Sequence, residues 1–486
     1  MNTKAIVSSL ILGGLLITLT TGVLTAAERS TPLFPAASQS ELKFLNPDRK
    51  ELEENKAEKM PFYPHRANTV DNKIIDHSQF EDAKICQGCH TEIYRQWENS
   101  MMANSWEDPI YRAILKRASE GTDGAVDNFC TGCHTPVGLT TGLIDSEVNR
   151  MSPEESAKAR PMPGIDCDGC HNMVGRTGMD NGAYILNPKA NGKPTKWGPR
   201  KDAKSPYHDT EYSEMHTRSD FCGTCHNVTH PFAGVPVERT YDEWLESPYA
   251  ENGEVCQDCH MRPFKGQAAI GGPVRDDVAS HWFSGANTTV INYFGDKEAA
   301  DNARAMLKSA GEILFVDQPD ALVPGQLANI RVKVKNKGAG HKLPTGFPEG
   351  REVWIDFSVK DANGKEVYRL GAVKNGKTEP GTENFKVHLG DKDGKEVDLE
   401  VWTITHIISD NRILPGGYDV RNFQFMVPQD AQGPFTMSAE LNYWPFPQYL
   451  VDYLLGEGNL DVEIVTIDST STKMKVAKNV AMADAE

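Results

Sequence analysis

One five-residue pattern recurs along this chain, and it limits the fold more than any other feature. It stands at Cys86-Gln87-Gly88-Cys89-His90, Cys130-Thr131-Gly132-Cys133-His134, Cys167-Asp168-Gly169-Cys170-His171, Cys222-Gly223-Thr224-Cys225-His226 and Cys256-Gln257-Asp258-Cys259-His260. All ten cysteines fall inside it, so none is left for a disulfide framework or for free-thiol chemistry. Cys-x-x-Cys-His is the attachment pattern of a c-type haem. The chemistry sets the spacing. Two thiols must reach the two vinyl groups of one porphyrin, and the adjacent imidazole must reach the iron. Two intervening residues put both sulfurs on one side of a single turn, and the next residue lands below the ring. Zinc sites pair two Cys-x-x-Cys elements per metal and need no trailing His, and five is an odd number. A thioredoxin-like redox pair occurs once, near a βαβ pattern. The spacing therefore predicts five covalently attached c-type haems, with thioethers at the ten cysteines. His90, His134, His171, His226 and His260 are then the proximal iron ligands.

The motifs lie within 175 residues, 35 per haem. At that density the porphyrins are expected to supply most of the apolar core, and little sustained periodicity is visible between motifs. Short helices are expected at Thr91 to Ser100 and at Tyr241 to Ser247. Rings packed so closely must be neighbours, so electrons pass from one to the next.

Outside the motifs the text divides by character. Lys4, the apolar run Ala5 to Ile17 and the small-residue exit Thr25-Ala26-Ala27 have the layout of a secretory signal over residues 1–27. The alternative is an uncleaved membrane anchor. Residues 28–80 form an N-terminal extension and 81–295 a pentahaem cytochrome c domain. Asp296 to Ala310 reads as a connecting helix that stops at Gly311. From there residues alternate in polarity over Ala328 to Lys335 and Arg351 to Lys360, with a hairpin signal at Asp361-Ala362-Asn363-Gly364. Further strands are expected at Leu399 to Ile408, Val420 to Met426 and Thr436 to Tyr443. These predict an antiparallel β-sandwich over 311–468, followed by a flexible tail over 469–486. Asp391-Lys392-Asp393-Gly394 lacks the full ligand spacing of a calcium loop and reads as a solvated hairpin. The fold class is α+β multidomain: a mostly helical and irregular multihaem cytochrome c domain, then the sandwich. A formal charge of −17 disfavours nucleic acid and suits basic partners.

Nine histidines remain after the five proximal ones: His65, His77, His208, His216, His230, His281, His341, His388 and His406. The stretch Ile93-Tyr94-Arg95-Gln96-Trp97 … Ser100-Met101-Met102-Ala103 resembles the first haem segment of the family of the tetrahaem cytochrome that accepts electrons from hydroxylamine oxidoreductase. The blocks Phe221 to His226, Thr240-Tyr241-Asp242-Glu243-Trp244, His281-Trp282-Phe283-Ser284-Gly285 and Gly340-His341-Lys342-Leu343-Pro344-Thr345-Gly346 add to the likeness, the last marking a β domain that often follows such segments. The resemblance implies distal ligands at Met102, His208, His230, His281 and His341, with His216 and His77 as alternates. Relatives usually carry His at the position of Met102. A Met ligand there would raise that haem's potential; otherwise Met102 packs on the ring edge. His65, His388 and His406 read as structural.

A closed sixth position makes a haem an electron carrier, and an open one permits chemistry. All five motifs are unaltered and the spare histidines can fill every distal place. The expected function is a pentahaem electron-transfer relay in the periplasm or outside the cell, between a redox donor and acceptor that are basic proteins or other multihaem cytochromes. Two alternatives stand beside it. One is an oxidoreductase acting on a small nitrogen or sulfur compound at an open haem, first of all the Met102 haem. The other is a subunit of an extracellular cytochrome polymer.

Overall fold

The computed structural model describes residues 60–159, 164–190, 192–347 and 350–477, and the expected signal segment 1–27 lies outside them. All described residues belong to one compact unit, Ala37–Glu486. Among them no helix is long and apolar enough to cross a membrane.

The first part is built of short helices, several of which are the motifs themselves. Thr91–Glu98 is helical as expected, and so is Thr240–Leu245. The longest helix of this part, Pro109–Gly121, was not expected from periodicity. Its start is nonetheless written locally: Asp108 caps it by accepting from the Ile110 and Tyr111 amides, and Pro109 occupies the first turn. Side chains also build an apolar core of their own here. Phe62, Trp106, Leu115, Val137, Tyr184 and Leu186 pack in one buried cluster. The N-terminal extension belongs to that cluster, because Asn68–Thr69 pairs in parallel with Tyr184–Leu186. A boundary at residue 81 is therefore not a break in packing.

Helix Lys297–Ala310 follows, capped by Asp296, whose carboxylate accepts from the Ala299 amide at 2.6 Å. Ala299, Ala300 and Ala303 face Ile291 and Trp282, while Leu307 and Ala310 join the core of the β region. Small residues on one face allow this close approach on both sides.

The β region contains a three-stranded antiparallel sheet in the order Gly311–Val316, Leu327–Asn336, Tyr418–Met426. A second sheet runs Glu366–Leu370, Glu352–Lys360, Phe435–Trp444, Val465–Met474, with Asn384–Phe385 also paired to Glu352–Lys360. The alternation read in the sequence is visible as alternating burial along Leu327–Asn336. Ile330, Val332 and Phe423 of the first sheet and Phe357, Met437 and Leu441 of the second share one apolar core. The expected tail is shorter than the text suggested. Residues 469–474 lie in Val465–Met474, which pairs antiparallel with Phe435–Trp444, because Ile467 and Met474 bury apolar side chains in the shared core. The expected strand over Leu399 to Ile408 begins only at Ile404, after a short 3₁₀ turn at Val401–Thr403.

Candidate haem centre

Each motif is held on or beside one helical turn. Cys86 lies in the last turn of Ala83–Gln87, and His90 stands at the start of the next helix; Asp127–His134 contains the whole second motif. Cys167–His171 and Cys256–His260 are helices made of the motif alone, and Cys222 lies in Ser219–Gly223. None of the ten cysteines is in a disulfide.

The five motif imidazoles, expected to be proximal, share one arrangement. Nδ1 of His90 donates to the Ala268 carbonyl at 2.7 Å, His134 to Ser105 at 3.0 Å, His171 to Trp197 at 2.7 Å and His260 to Ser284 at 2.6 Å. His226 uses the Glu238 carboxylate at 3.3 Å. A carbonyl only accepts, so in the four rings held by one the proton sits on Nδ1 and the lone pair on Nε2, as iron ligation requires. Burial lowers His134 and His260 to about 4 and lowers His171, keeping these rings neutral. Burial acts the same way on His226, but Glu238 outweighs it and raises that imidazole to about 9.

Two further histidines stand opposite proximal ones. The rings of His171 and His281 are 6.4 Å apart with 25° between planes, and those of His260 and His341 are 6.4 Å apart with 20° between planes. Both added rings also donate from Nδ1 to a carbonyl, His281 to Ala279 at 3.0 Å and His341 to Lys342 at 2.9 Å. Two metal–nitrogen bonds of roughly 2 Å each, with each ring centre about 1.2 Å behind its nitrogen, predict a separation of about 6.4 Å. The residues present therefore fit an iron held between each pair.

The other expected ligands fare differently. His216 is 5.8 Å from His171, but its Nε2 is spent on the Cys170 carbonyl at 3.1 Å. His230 is a correction. Its Nδ1 accepts from the Phe232 and Ala233 amides and its Nε2 faces the Trp402 carbonyl at 3.2 Å, which leaves neither nitrogen for a metal. His208 donates from Nδ1 to Asp209 in the loop before Asp209–Tyr212, and His77 is exposed on a 3₁₀ turn. The Met102 side chain is half-buried, and its carbonyl accepts from Ile165 and Ser105. Ser105 in turn donates to the His134 carbonyl and receives the His134 ring, so the Met102 turn is fastened to the second motif.

Residues that the sequence did not single out crowd that second motif. Tyr111 stacks on His134 with ring centres 3.6 Å apart. His65, 0 % exposed, lies against Gly132, and its Nε2 is 3.5 Å from the Cys133 sulfur. A side chain at Gly132 or Gly182 would collide with the His65 ring. The only sequence signal for this was a histidine in a Pro-flanked segment.

The motifs also touch one another. Helix Ala83–Gln87 packs on Cys167–His171 and Ser219–Gly223 on Cys256–His260, while Cys130 and Cys225 lie against one buried cluster. The hairpin Pro263–Gln267 and Val274–Ala279, which follows the fifth motif, returns to the first: Ile270 donates to the Cys89 carbonyl and Ala268 receives His90.

Residues 85–172 match the family described as cytochrome c554 and c-prime. Among curated proteins, none matches the chain. The fold is similar to that of a penta-heme cytochrome c552 from Thermochromatium tepidum, 21 % identical, over 82 % of this chain and 99 % of that one, with a TM-score of 0.57. A CARDB domain from Pyrococcus furiosus, 14 % identical over 35 % of this chain and 86 % of that one, has a TM-score of 0.16, too low to bear on the argument. The family match, the motifs and the shared fold support a c-type cytochrome carrying several haems.

Proposed function

We propose that this chain is a pentahaem electron-transfer relay of the cell envelope. The observation that carries the reading is the packing of the motifs on one another: helix Ala83–Gln87 on Cys167–His171, Ser219–Gly223 on Cys256–His260, Cys130 and Cys225 against one buried cluster, and the hairpin after the fifth motif on His90. When bound, a c-type haem supplies one-electron chemistry at its iron. The chain's residues do the rest. The ten cysteines anchor, the proximal imidazoles present Nε2 with Nδ1 fixed by an acceptor, and the surrounding side chains exclude water. His281 serves the third motif and His341 the fifth. Met102, His208 and His77 remain the candidates for the other three. The two-sheet region, read as a β-sandwich over 311–468, acts as a lid that delivers His341. The relay is exported, exchanges electrons with basic proteins or other multihaem cytochromes, and has no substrate of its own.

The test is a redox titration of the purified protein with spin-state readout, after a haem-to-protein ratio has been measured. Five low-spin haems that ignore carbon monoxide, nitrite and hydroxylamine are expected. A high-spin haem that binds and turns over those compounds would overturn the relay in favour of an oxidoreductase. The stacking of Tyr111 on His134 makes the second motif the place to look first.

A further inference from the structure

The helix that precedes the fifth motif and the turn that carries His341 come from parts of the chain about a hundred residues apart, and a circuit of four charged residues, closed through the Lys342 backbone amide, joins them. Glu243, on Thr240–Leu245, places Oε1 2.8 Å from Nη1 of Arg412. Arg412 holds Asp410 through Nε at 2.9 Å and Nη2 at 2.8 Å. Asp410 receives Nζ of Lys342 at 2.7 Å, and the Lys342 amide donates back to Oε2 of Glu243 at 3.2 Å. The side chains of Glu243 and Arg412 are only 4 % and 8 % exposed. Two positive and two negative charges balance, which is what permits their burial.

The circuit ends on the histidine. Lys342 is held at its amide by Glu243, and its carbonyl receives Nδ1 of His341 at 2.9 Å. Glu243 also accepts from the Thr345 hydroxyl at 2.7 Å, and Thr345 meets Thr240 at 2.8 Å. The other side of the turn is tied to the sheet, where Asn336 donates to the His341 carbonyl and Leu343 pairs with Ile413. We propose that Glu243 is the positioning residue of the fifth motif: its carboxylate sets the Lys342 backbone, and through it the direction in which His341 presents Nε2 toward His260. This rests on the reading of His341 as the distal ligand of that motif.

The experiment compares full-length, haem-loaded protein in five forms: unchanged, His341→Ala, Glu243→Ala, Glu243→Gln and Thr345→Val. The readouts are low-temperature electron paramagnetic resonance, carbon monoxide binding and the potential of the affected haem. His341→Ala should convert one of five low-spin haems to a high-spin, carbon monoxide-binding form. Glu243→Ala should convert a large part of that same haem, and Glu243→Gln, which keeps an acceptor for Lys342 and Thr345, should restore most of it. Thr345→Val, which removes one hydroxyl from the turn, should give a smaller change of the same sign. It keeps the question answerable if Glu243→Ala does not load haem. An altered His341→Ala beside unaltered Glu243 and Thr345 variants would overturn the positioning role and leave the ligand reading standing. Five low-spin haems in His341→Ala would overturn both.

Discussion

Replacing His281 by Ala is the sharpest test of how the third motif is completed, because two histidines compete for it. The His281 ring stands 6.4 Å from His171, the distance that two metal–imidazole bonds of about 2 Å each require once the ring offsets are added. The His216 ring is nearer, at 5.8 Å, about half an ångström less than that span. Its bonding also runs the wrong way: Nε2 points at the Cys170 carbonyl, whereas His281 spends Nδ1 on Ala279 and leaves Nε2 free. Rotating His216 into place would break that contact and draw the ring off Phe221, 4.4 Å away. His281→Ala is therefore expected to remove one low-spin centre, about a fifth of the low-spin intensity if five haems are bound, and to add a matching high-spin signal. His216→Ala should leave the spin states as they were. Magnetic circular dichroism in the near infrared reads both, since it separates low-spin imidazole pairs from high-spin iron. An unchanged spectrum in His281→Ala, or the loss of a low-spin centre in His216→Ala, would refute the ring-separation argument.

Three further outcomes concern the scaffold. Phe357→Ala, at a fully buried ring 4.6 Å from Phe423 and 6.2 Å from Phe315, should cost roughly 3–5 kcal/mol in denaturant unfolding followed by near-ultraviolet circular dichroism. Tyr184→Phe removes a buried hydroxyl that donates to the Gly132 carbonyl at 2.7 Å, and should lower the stability of the second-motif region by about 1–2 kcal/mol, read by hydrogen exchange. Burial would raise the Asp410 pKa, but Arg412 and Lys342 outweigh it and hold it at about 2. A depressed carboxylate stabilises above its ordinary value near 3.8 and loses that stabilisation as the pH falls toward 2. The effect is worth roughly 2 kcal/mol, and Asp410→Asn should flatten the unfolding profile between pH 4 and pH 2.

Where an element depends on near neighbours in the chain, the text was legible. The helix over Lys297–Ala310 follows from the Asp296 cap and the spacing of small residues, and the strands at Leu327–Asn336 and Glu352–Lys360 follow from alternation. The helix Pro109–Gly121 has no clear apolar stripe in the sequence because its buried face includes Arg112 and Ser119. The segment 469–474 looked loose because Ser469, Thr470, Ser471 and Thr472 are polar, yet they continue a ladder whose other face is buried.

The same division holds at the centre of the molecule. Attachment and proximal ligation are written in five consecutive residues, because one turn of backbone brings two sulfurs and an imidazole together whatever surrounds it. The sequence by itself therefore singles out the ten cysteines and five histidines that we propose anchor and ligate the haems. Distal ligation has no such local rule. His281 meets His171 and His341 meets His260 only because distant segments pack together. The same packing turns His230 onto backbone groups and brings Tyr111 and His65 to the second motif. Whether a ring nitrogen is free is decided by what it bonds to after folding, and that is a property of tertiary structure alone.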